Sequence, residues 1–158
     1  MDFVAQIYGL SPQFYIDYPQ SKFPEIPRKL GRPYSCLIID YFEDIFICIP
    51  FRSHVNHKYA YHFKTSNRSK YCSSGLDYSK IVLVKETRYL DSNTQAIVDQ
   101  DEYRETIMNL PRIARESLKY ISTYRDDLNG IKKLHPREWH RRYGRSTLPY
   151  FNELLKNS

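Results

Sequence analysis

The stretch YSCLIIDYFEDIFICIP, residues 34–50, places two apolar runs on either side of a short polar turn. The runs cover residues 34–41 and 45–49, and consecutive apolar positions mean that both faces of the resulting strands must be covered. We therefore expect two central strands that pair as an antiparallel hairpin. A turn at Glu43 and Asp44 predicts that Cys48 lies opposite Ile39.

Patterns outside this hairpin predict further strands early in the chain. Residues 3–8, 59–63 and 81–84 have the length and the aromatic or β-branched content of strands. Ser11 followed by Pro12 is typical of a helix start, so we expect a short helix that carries Tyr15 and Tyr18. Residues 23–33 are basic and punctuated by proline, which predicts a loop.

The last third of the chain has helical periodicity. Apolar side chains, beginning with Tyr103 and Ile107, recur mostly three and four residues apart across residues 101–128. Pro111 is expected to divide this stripe into two helices, and Gly130 to end the second. Two short helices are predicted at residues 136–143 and 147–155. Strands first and helices last predict a single α+β domain over residues 1–158, with helices flanking a compact, twisted antiparallel sheet.

Composition favours an anionic partner. The 24 Lys and Arg outnumber the 18 Asp and Glu, giving a formal charge of +6. The 15 tyrosines supply stacking faces, a profile typical of proteins that bind single-stranded RNA, although most individual tyrosines belong to a core. Three cysteines, an odd number, argue against a disulfide framework and for a reducing compartment. Because the N-terminus is unlike a signal peptide and no apolar run reaches about 20 residues, we expect a cytoplasmic protein.

The segment that follows the second central strand carries the chemistry. The strand is expected to stop at Pro50, and residues 52–58, RSHVNHK, then hold two histidines, an arginine, a lysine, a serine and an asparagine without a carboxylate. Arginine and lysine neutralise phosphate, and histidine exchanges protons near neutral pH. This composition suits binding and proton transfer at a phosphodiester, and it is poor for a hard metal.

Cutting RNA without a metal requires a base for the 2′-hydroxyl, donors for the charged phosphate and an acid for the 5′-oxygen. Arg52 and Lys58 are the candidates to hold the phosphate, and Ser53 can donate a hydrogen bond to it. His57 is the preferred base or acid, with His54 second. The products would carry 2′,3′-cyclic phosphate and 5′-hydroxyl ends, because the attacking oxygen belongs to the substrate.

Other residues are candidates for RNA contacts rather than for chemistry. Tyr15 could stack on a base or bind a ribose. The remaining candidates are basic, amide or aromatic side chains: Arg28, Lys29, Arg32, Tyr34, Asn56, Arg141, Arg142 and Arg145.

Three alternatives stay open. His54, His57 and His62 could contribute to a zinc site, but no paired thiolates or acidic ligands accompany them, and His62 is interpreted as structural. Scattered carboxylates at Asp40, Asp77 and Glu86 could serve a metal-dependent nuclease, although their spacing fits no motif. The chain could also bind RNA without turning it over. A protein-interaction domain that does not bind nucleic acid is a less favoured alternative than these three.

Four segments, in order and spacing, resemble the ToxN/AbiQ toxins of type III toxin-antitoxin systems. They are YIDY (residues 15–18), GRPY (31–34) leading into LII (37–39), IPFRS (49–53) and LDYSKIV (76–82). The loop RSHVNHK is most similar to that of the TenpN branch. The resemblance extends from about residue 8 to residue 84, and loosely to YFNELL at residues 150–155.

The resemblance implies a metal-independent endoribonuclease without a cofactor, built on a partly barrel-like, strongly twisted antiparallel sheet flanked by helices. It also implies an antitoxin that is itself RNA, made of repeats that fold into pseudoknots and close a cyclic toxin-RNA assembly. No DNA or membrane partner is implied. The family inhibits growth and defends against phage.

Some active-site positions of the family have an equivalent residue in this sequence, and one does not. Its essential serine corresponds to Ser53, preceded by Arg52 where the family has threonine. Its loop lysine falls on Val55, so His54, His57 or Lys58 would have to replace that lysine. Its N-terminal tyrosine corresponds to Tyr15. Its basic residue before the second strand corresponds to Arg32.

Overall fold

A computed structural model describes residues 6–28, 35–41, 44–91 and 98–157. Within these residues seven strands form one antiparallel sheet: β1 (Gln6–Leu10), β2 (Ser35–Asp40), β3 (Phe46–Arg52), β4 (Ala60–His62), β5 (Gly75–Asp77), β6 (Val82–Val84) and β7 (Leu90–Asp91). Their order is β4-β5-β3-β2-β1-β7, with β6 also paired to β3. The predicted α+β class is confirmed. The sheet is twisted but open between β4 and β7 over the described residues, so the partly barrel-like form is not reached.

Helices occupy most of the described C-terminal part. The helices of the described ranges are α1 (Pro12–Asp17), α2 (Ser69–Cys72), α3 (Gln100–Met108), α4 (Leu110–Leu128), α5 (Pro136–Tyr143) and α6 (Asn152–Leu155). Ser11 caps α1 by accepting from the Phe14 N–H, as its position before Pro12 predicts. α3 ends just before Pro111, and Gly130, with a φ of +72°, ends α4. The predicted helix at residues 147–155 is a 3₁₀ turn, Leu148–Phe151, followed by α6.

The central hairpin has a register one residue away from the predicted one. Cys48 lies opposite Ile38, not Ile39, and Asp40 pairs with Phe46. The Tyr41 N–H donates to the Ile45 carbonyl, which leaves three residues, 42–44, as the connection. The prediction assumed a turn with an even number of residues. As a consequence Cys36 lies opposite Pro50.

Strand β3 runs through Pro50 to Arg52, so the prediction that it stops at the proline was wrong. One edge of β3 pairs with β2 from Phe46 to Pro50. The other edge pairs with β6 up to Cys48 and with β5 from Phe51 onward. Pro50 lies where this second edge changes partner, a break at which a missing N–H is tolerated. Arg52 is therefore held in the sheet, and the loop begins at Ser53.

The core is one cluster formed by the sheet and the helices. The central strands are buried on both faces, as their uninterrupted apolar sequence predicts. On α4 the predicted stripe is confirmed, since Ile113, Ala114 and Ile121 are fully buried. On α3 it is wrong, because Tyr103 and Ile107 are 41% and 42% exposed.

Helix α3 turns a polar face inward instead. Its buried residues are Glu102, Glu105 and Thr106. The Glu105 carboxylate accepts from the backbone N–H groups of Lys64 and Thr65 and from the Tyr61 hydroxyl. The two backbone donors lie on the polar segment that leaves β4, and a buried carboxylate satisfies them. Apolar side chains on this face of α3 could not accept these hydrogen bonds.

No helix in the described ranges is both long enough and apolar enough to cross a membrane.

Strand β5 was not predicted, and it depends on a close approach at Gly75. This glycine pairs with His62 of β4, and a Cβ added to it would lie 2.6 Å from the Tyr61 carbonyl oxygen. Such a contact is too short to persist, so the two backbones could not keep their present separation.

We expect Gly75→Ala to lower the free energy of unfolding by about 1–3 kcal/mol, the usual cost of overpacking. Urea denaturation followed by circular dichroism measures this change. An unchanged midpoint would show that β4 and β5 can separate without cost.

Candidate active site

A cavity of about 820 Å³ lies between the loop that follows Ser53, strand β4 and helices α4 and α5. Of the described residues that line it, five are cations and one is a carboxylate, Glu116. The cations are Lys58, Lys64, Arg112, Lys119 and Arg142. The carboxylate is already engaged, since Glu116 accepts from Tyr78 at 2.8 Å and from Arg112 at 3.0 Å. The cavity therefore has an excess of positive charge.

The loop is anchored to the segment that precedes β5. The His54 N–H donates to the Cys72 carbonyl at 2.6 Å, and the Val55 N–H to the Ser73 carbonyl at 3.0 Å. His54 has a φ of +57° and an exposed side chain, whereas Val55 is only 2% exposed. The buried, apolar side chain of Val55 thus helps to fix the loop. After it, Asn56, His57 and Lys58 line the cavity.

His57 is held through both ring nitrogens. Its Nδ1 accepts from the Tyr59 N–H at 3.0 Å. A nitrogen that accepts carries no proton, so neutral His57 has its hydrogen on Nε2, which lies 3.1 Å from Asp77 Oδ1. The imidazole is therefore oriented firmly, but it has no nitrogen left for a substrate unless one of these bonds breaks.

Asp77, at the end of β5, is fully buried and accepts from four donors on three residues, one of them the Ser79 N–H at 3.0 Å. Arg52 Nη1 lies 2.8 Å from one of its oxygens, while His57 and the Ser79 hydroxyl, at 2.6 Å, bind the other. Burial alone would raise the pKa of Asp77, but the hydrogen bonds from His57, Ser79 and Arg52 outweigh it and hold the pKa below its ordinary value. Asp77 is thus a buried anion that joins β3 to the loop.

His62 is bound through only one nitrogen. Its Nε2 lies 2.7 Å from the His57 carbonyl oxygen, which can only accept, so Nε2 carries the proton. Its Nδ1 has no hydrogen-bond partner in the described part of the chain. The side chain is half-buried and lines the cavity. The interpretation of His62 as structural overlooked this free nitrogen.

Ser53 takes part in a different network. Its hydroxyl oxygen accepts from Arg68 Nη1 at 2.9 Å, and the Nε of the same arginine donates to Glu102 at 3.0 Å. Glu102 is 1% exposed and also accepts from Ser66 and Ser74. Ser53 does not line the cavity, although its hydroxyl proton stays available for another acceptor.

The remaining predicted residues divide into three groups. Arg142 lines the cavity. Arg141 and Arg145 are exposed but do not line it, and Arg141 pairs with Glu138. Tyr15 and Arg28 contact each other, with the guanidinium 5.3 Å from the ring centroid, on the α1 side of the core. Lys29, Arg32 and Tyr34 lie outside the described residues.

Residues that sequence reasoning missed supply much of the cavity. Lys64 follows the end of β4, and Arg112 and Lys119 lie on the outer face of α4. The sequence alone does not distinguish a charged residue at such a position from an ordinary surface residue. The ring of Tyr59 packs between His57 and Tyr120, at centroid distances of 6.1 and 5.9 Å. The alternation of β4 was the one available signal, since it places His62 on the face opposite the buried Tyr61.

The carboxylates considered for a metal do not converge. Asp40 pairs with Phe46 at one end of β3, and Glu86 follows the strand that pairs with that same end. Asp77 lies beyond the other end of β3, with its oxygens engaged by Arg52, His57 and Ser79. In the described ranges no group of three or more histidine, cysteine or acidic side chains could hold a metal ion.

Comparison of the chain with protein-family models, curated proteins and solved structures finds no match.

The lowered pKa of Asp77 makes the stability of the protein depend on pH. Its carboxylate is more acidic in the folded than in the unfolded chain, so its contribution is complete above about pH 4 and is lost as the pH falls through the folded value. We expect Asp77→Asn to cost about 2 kcal/mol at pH 7, the typical value of hydrogen bonds to a charged group. The difference from the wild type should shrink below about pH 4.

Denaturant unfolding at pH 7, 5 and 3 measures this difference. Asp40→Asn is the matched control, because Asp40 is exposed, and a surface change of this kind costs within about 0.5 kcal/mol. A difference between the wild type and Asp77→Asn that stays constant from pH 7 to 3 would contradict the argument.

Proposed function

We propose that this protein is a metal-independent endoribonuclease that cuts flexible, single-stranded RNA inside the cationic cavity. The observation that carries the proposal is the pair of histidines, His57 and His62, set among five cations in one cavity of the described chain. Phosphate needs the cations, and transfer of the 2′-hydroxyl proton needs an imidazole.

Electrostatics supports an RNA backbone as the ligand. Lys58, Lys64 and Lys119 line the cavity, and none of them forms an ion pair within the described residues. Ammonium groups without a carboxylate partner can neutralise phosphates without first breaking an ion pair, although Lys58 lies over the Tyr59 ring, 5.5 Å from its centroid. The formal charge of +6 adds long-range attraction for a polyanion.

The shape of the site supports a single strand. A volume of about 820 Å³ accommodates a nucleotide with parts of its neighbours, but not a duplex. Tyr59, which is half-buried, contributes aromatic surface to the wall, on which an unstacked base can pack. The reaction draws its nucleophile from the substrate, and this requires the 2′-hydroxyl that distinguishes RNA from DNA.

The resemblance to the ToxN/AbiQ toxins extends the proposal to biology. In this proposal the chain is a cytoplasmic toxin that inhibits growth, acts in phage defence and is neutralised by a structured repeat RNA in a cyclic assembly. The ordered segments of the first half of the chain support it. Ser53 and Tyr15, two positions transferred from the family, do not line the cavity, so their roles rest on the resemblance alone.

One observation favours a second function, RNA binding without turnover. Both nitrogens of His57, the histidine preferred on sequence grounds, are engaged inside the protein. A cavity with cations and aromatic rings but no free imidazole would bind RNA and leave it intact. The free Nδ1 of His62 makes cleavage the better supported of the two.

The proposal predicts cleavage of a mixed-sequence, unstructured RNA by the purified protein in the presence of a chelator. The products should carry 2′,3′-cyclic phosphate and 5′-hydroxyl ends, identified by end-group analysis. Intact RNA that is bound in a salt-sensitive manner would indicate the binding module. Cleavage that returns only with an added divalent metal would indicate a metal-dependent nuclease, and absence of binding would contradict both RNA functions.

Substitution of cavity cations tests the location. Lys58→Gln combined with Lys119→Gln should weaken RNA binding and reduce the slope of log K against log salt by about 1.4, or about 0.7 for each lost phosphate contact. Lys132→Gln combined with Arg137→Gln removes the same charge from exposed positions that do not line the cavity. Equal effects of the two double variants would show that RNA binds elsewhere or through net charge alone.

A further inference from the structure

The geometry points to His62 as the general base of the cavity, with His57 and Asp77 as positioning residues that fix it; we infer this on the basis of the proposed ribonuclease function. His62 is neither in the cationic loop nor at a position that the resemblance carries over. Its assignment rests on its hydrogen bond, its place in β4 and the surface that it lines.

The hydrogen bond of His62 selects one tautomer. A backbone carbonyl accepts only, so the 2.7 Å contact with the His57 carbonyl places the proton of neutral His62 on Nε2. The lone pair is then on Nδ1, which has no partner in the described residues. A base needs such a nitrogen, unprotonated and unoccupied, next to the substrate.

Strand β4 determines the direction of the His62 side chain, and its pairing with β5 leaves open space beside that side chain. Side chains alternate along β4, so His62 lies on the face opposite the buried Tyr61 and on the same face as Ala60, which also lines the cavity. Its cross-strand partner is Gly75, which has no side chain to fill the neighbouring position. The imidazole is thereby left open to a ligand.

The His57 carbonyl, which accepts the hydrogen bond from His62, is itself held in position. The ring of His57 binds the Tyr59 N–H through Nδ1 and the buried Asp77 carboxylate through Nε2. Residue 57 is therefore restrained from both sides, and its carbonyl has little freedom to move. Asp77, His57 and His62 form a chain in which the first two orient the third.

Charged and titratable groups from every adjoining element share the cavity with His62. They are His57, Lys58 and Tyr59 from the loop, Lys64 after β4, Tyr78 after β5, Arg112, Glu116, Lys119 and Tyr120 from α4, and Arg142 from α5. Cations dominate this set. They neutralise the charge that develops on phosphate.

The reaction then balances as follows. Nδ1 of neutral His62 takes the proton of the 2′-hydroxyl while the 2′-oxygen forms a bond to phosphorus. The bond between phosphorus and the 5′-oxygen breaks, and water supplies the proton to that oxygen. The products are a 2′,3′-cyclic phosphate and a 5′-hydroxyl, and His62 returns its proton to solvent.

Single-turnover cleavage of an RNA oligonucleotide between pH 5 and 8 tests the role of His62. His62→Gln keeps an amide donor for the His57 carbonyl but has no titrating group. We expect the rate to fall by about 100-fold or more, the usual contribution of a general base, and to lose its decrease toward acid pH, while RNA affinity changes less than about threefold. His140→Gln, on the exposed surface of α5, is the matched control and should keep the wild-type profile.

A measurement on the wild-type protein needs no folded variant. Nitrogen NMR of the histidine rings should show the Nε2–H tautomer for neutral His62. His57→Gln should allow the other tautomer of His62 and lower the rate about tenfold. A purely structural role of His57 would not change the His62 tautomer ratio.

The possible failures are distinguishable. A wild-type protein that does not cut RNA overturns the proposed function, and the role of His62 falls with it. Cleavage that is unchanged in His62→Gln overturns only the inference and returns His57 as the candidate base. A neutral His62 that carries its proton on Nδ1 overturns the inference even where cleavage occurs.

Discussion

The buried carboxylate of Asp77 is the constraint on which the rest of the site depends. It binds Arg52 at the end of the longest central strand, His57 in the loop and Ser79 in the turn that follows β5. A buried charge without such partners would destabilise the fold, and each of the three donor residues is held in place by its hydrogen bond to the carboxylate. One side chain thereby joins sheet, loop and turn into a rigid base for the cavity.

Buried acids also decide which cations are structural. Arg52 is paired with Asp77, and Arg68 with Glu102, which is 1% exposed. Their charges are balanced before any ligand arrives. The lysines at positions 58, 64 and 119 have no ion pair among the described residues and face the cavity, so the positive potential that a ligand meets comes from them. Of the two cations in residues 52–58, Arg52 is therefore structural, whereas Lys58 faces the cavity.

The sequence predicted those parts of the fold that local pattern determines. Uninterrupted apolar runs gave β2 and β3, and Pro111 and Gly130 gave the limits of the long helices. It missed β5, whose three residues depend on a tight backbone approach at Gly75. It also placed Tyr103 in the core, because α3 has apolar spacing but buries glutamates that satisfy donors from a distant segment. Such pairings become visible only in three dimensions.

Val55 contributes packing to the loop, and the charge of the cavity comes from other elements. The side chain of Val55 is 2% exposed, and its backbone N–H anchors the loop to the Ser73 carbonyl. A lysine at this position would lose the packing of the valine or displace the loop from its anchor. Positive charge comes from α4 instead, where Lys119 lines the cavity and forms no ion pair among the described residues, whereas Arg142 of α5 is paired with Glu138. The positive potential in a cavity depends on all the side chains that line it, whichever elements contribute them. One segment can therefore fix the loop by apolar packing while another supplies the charge.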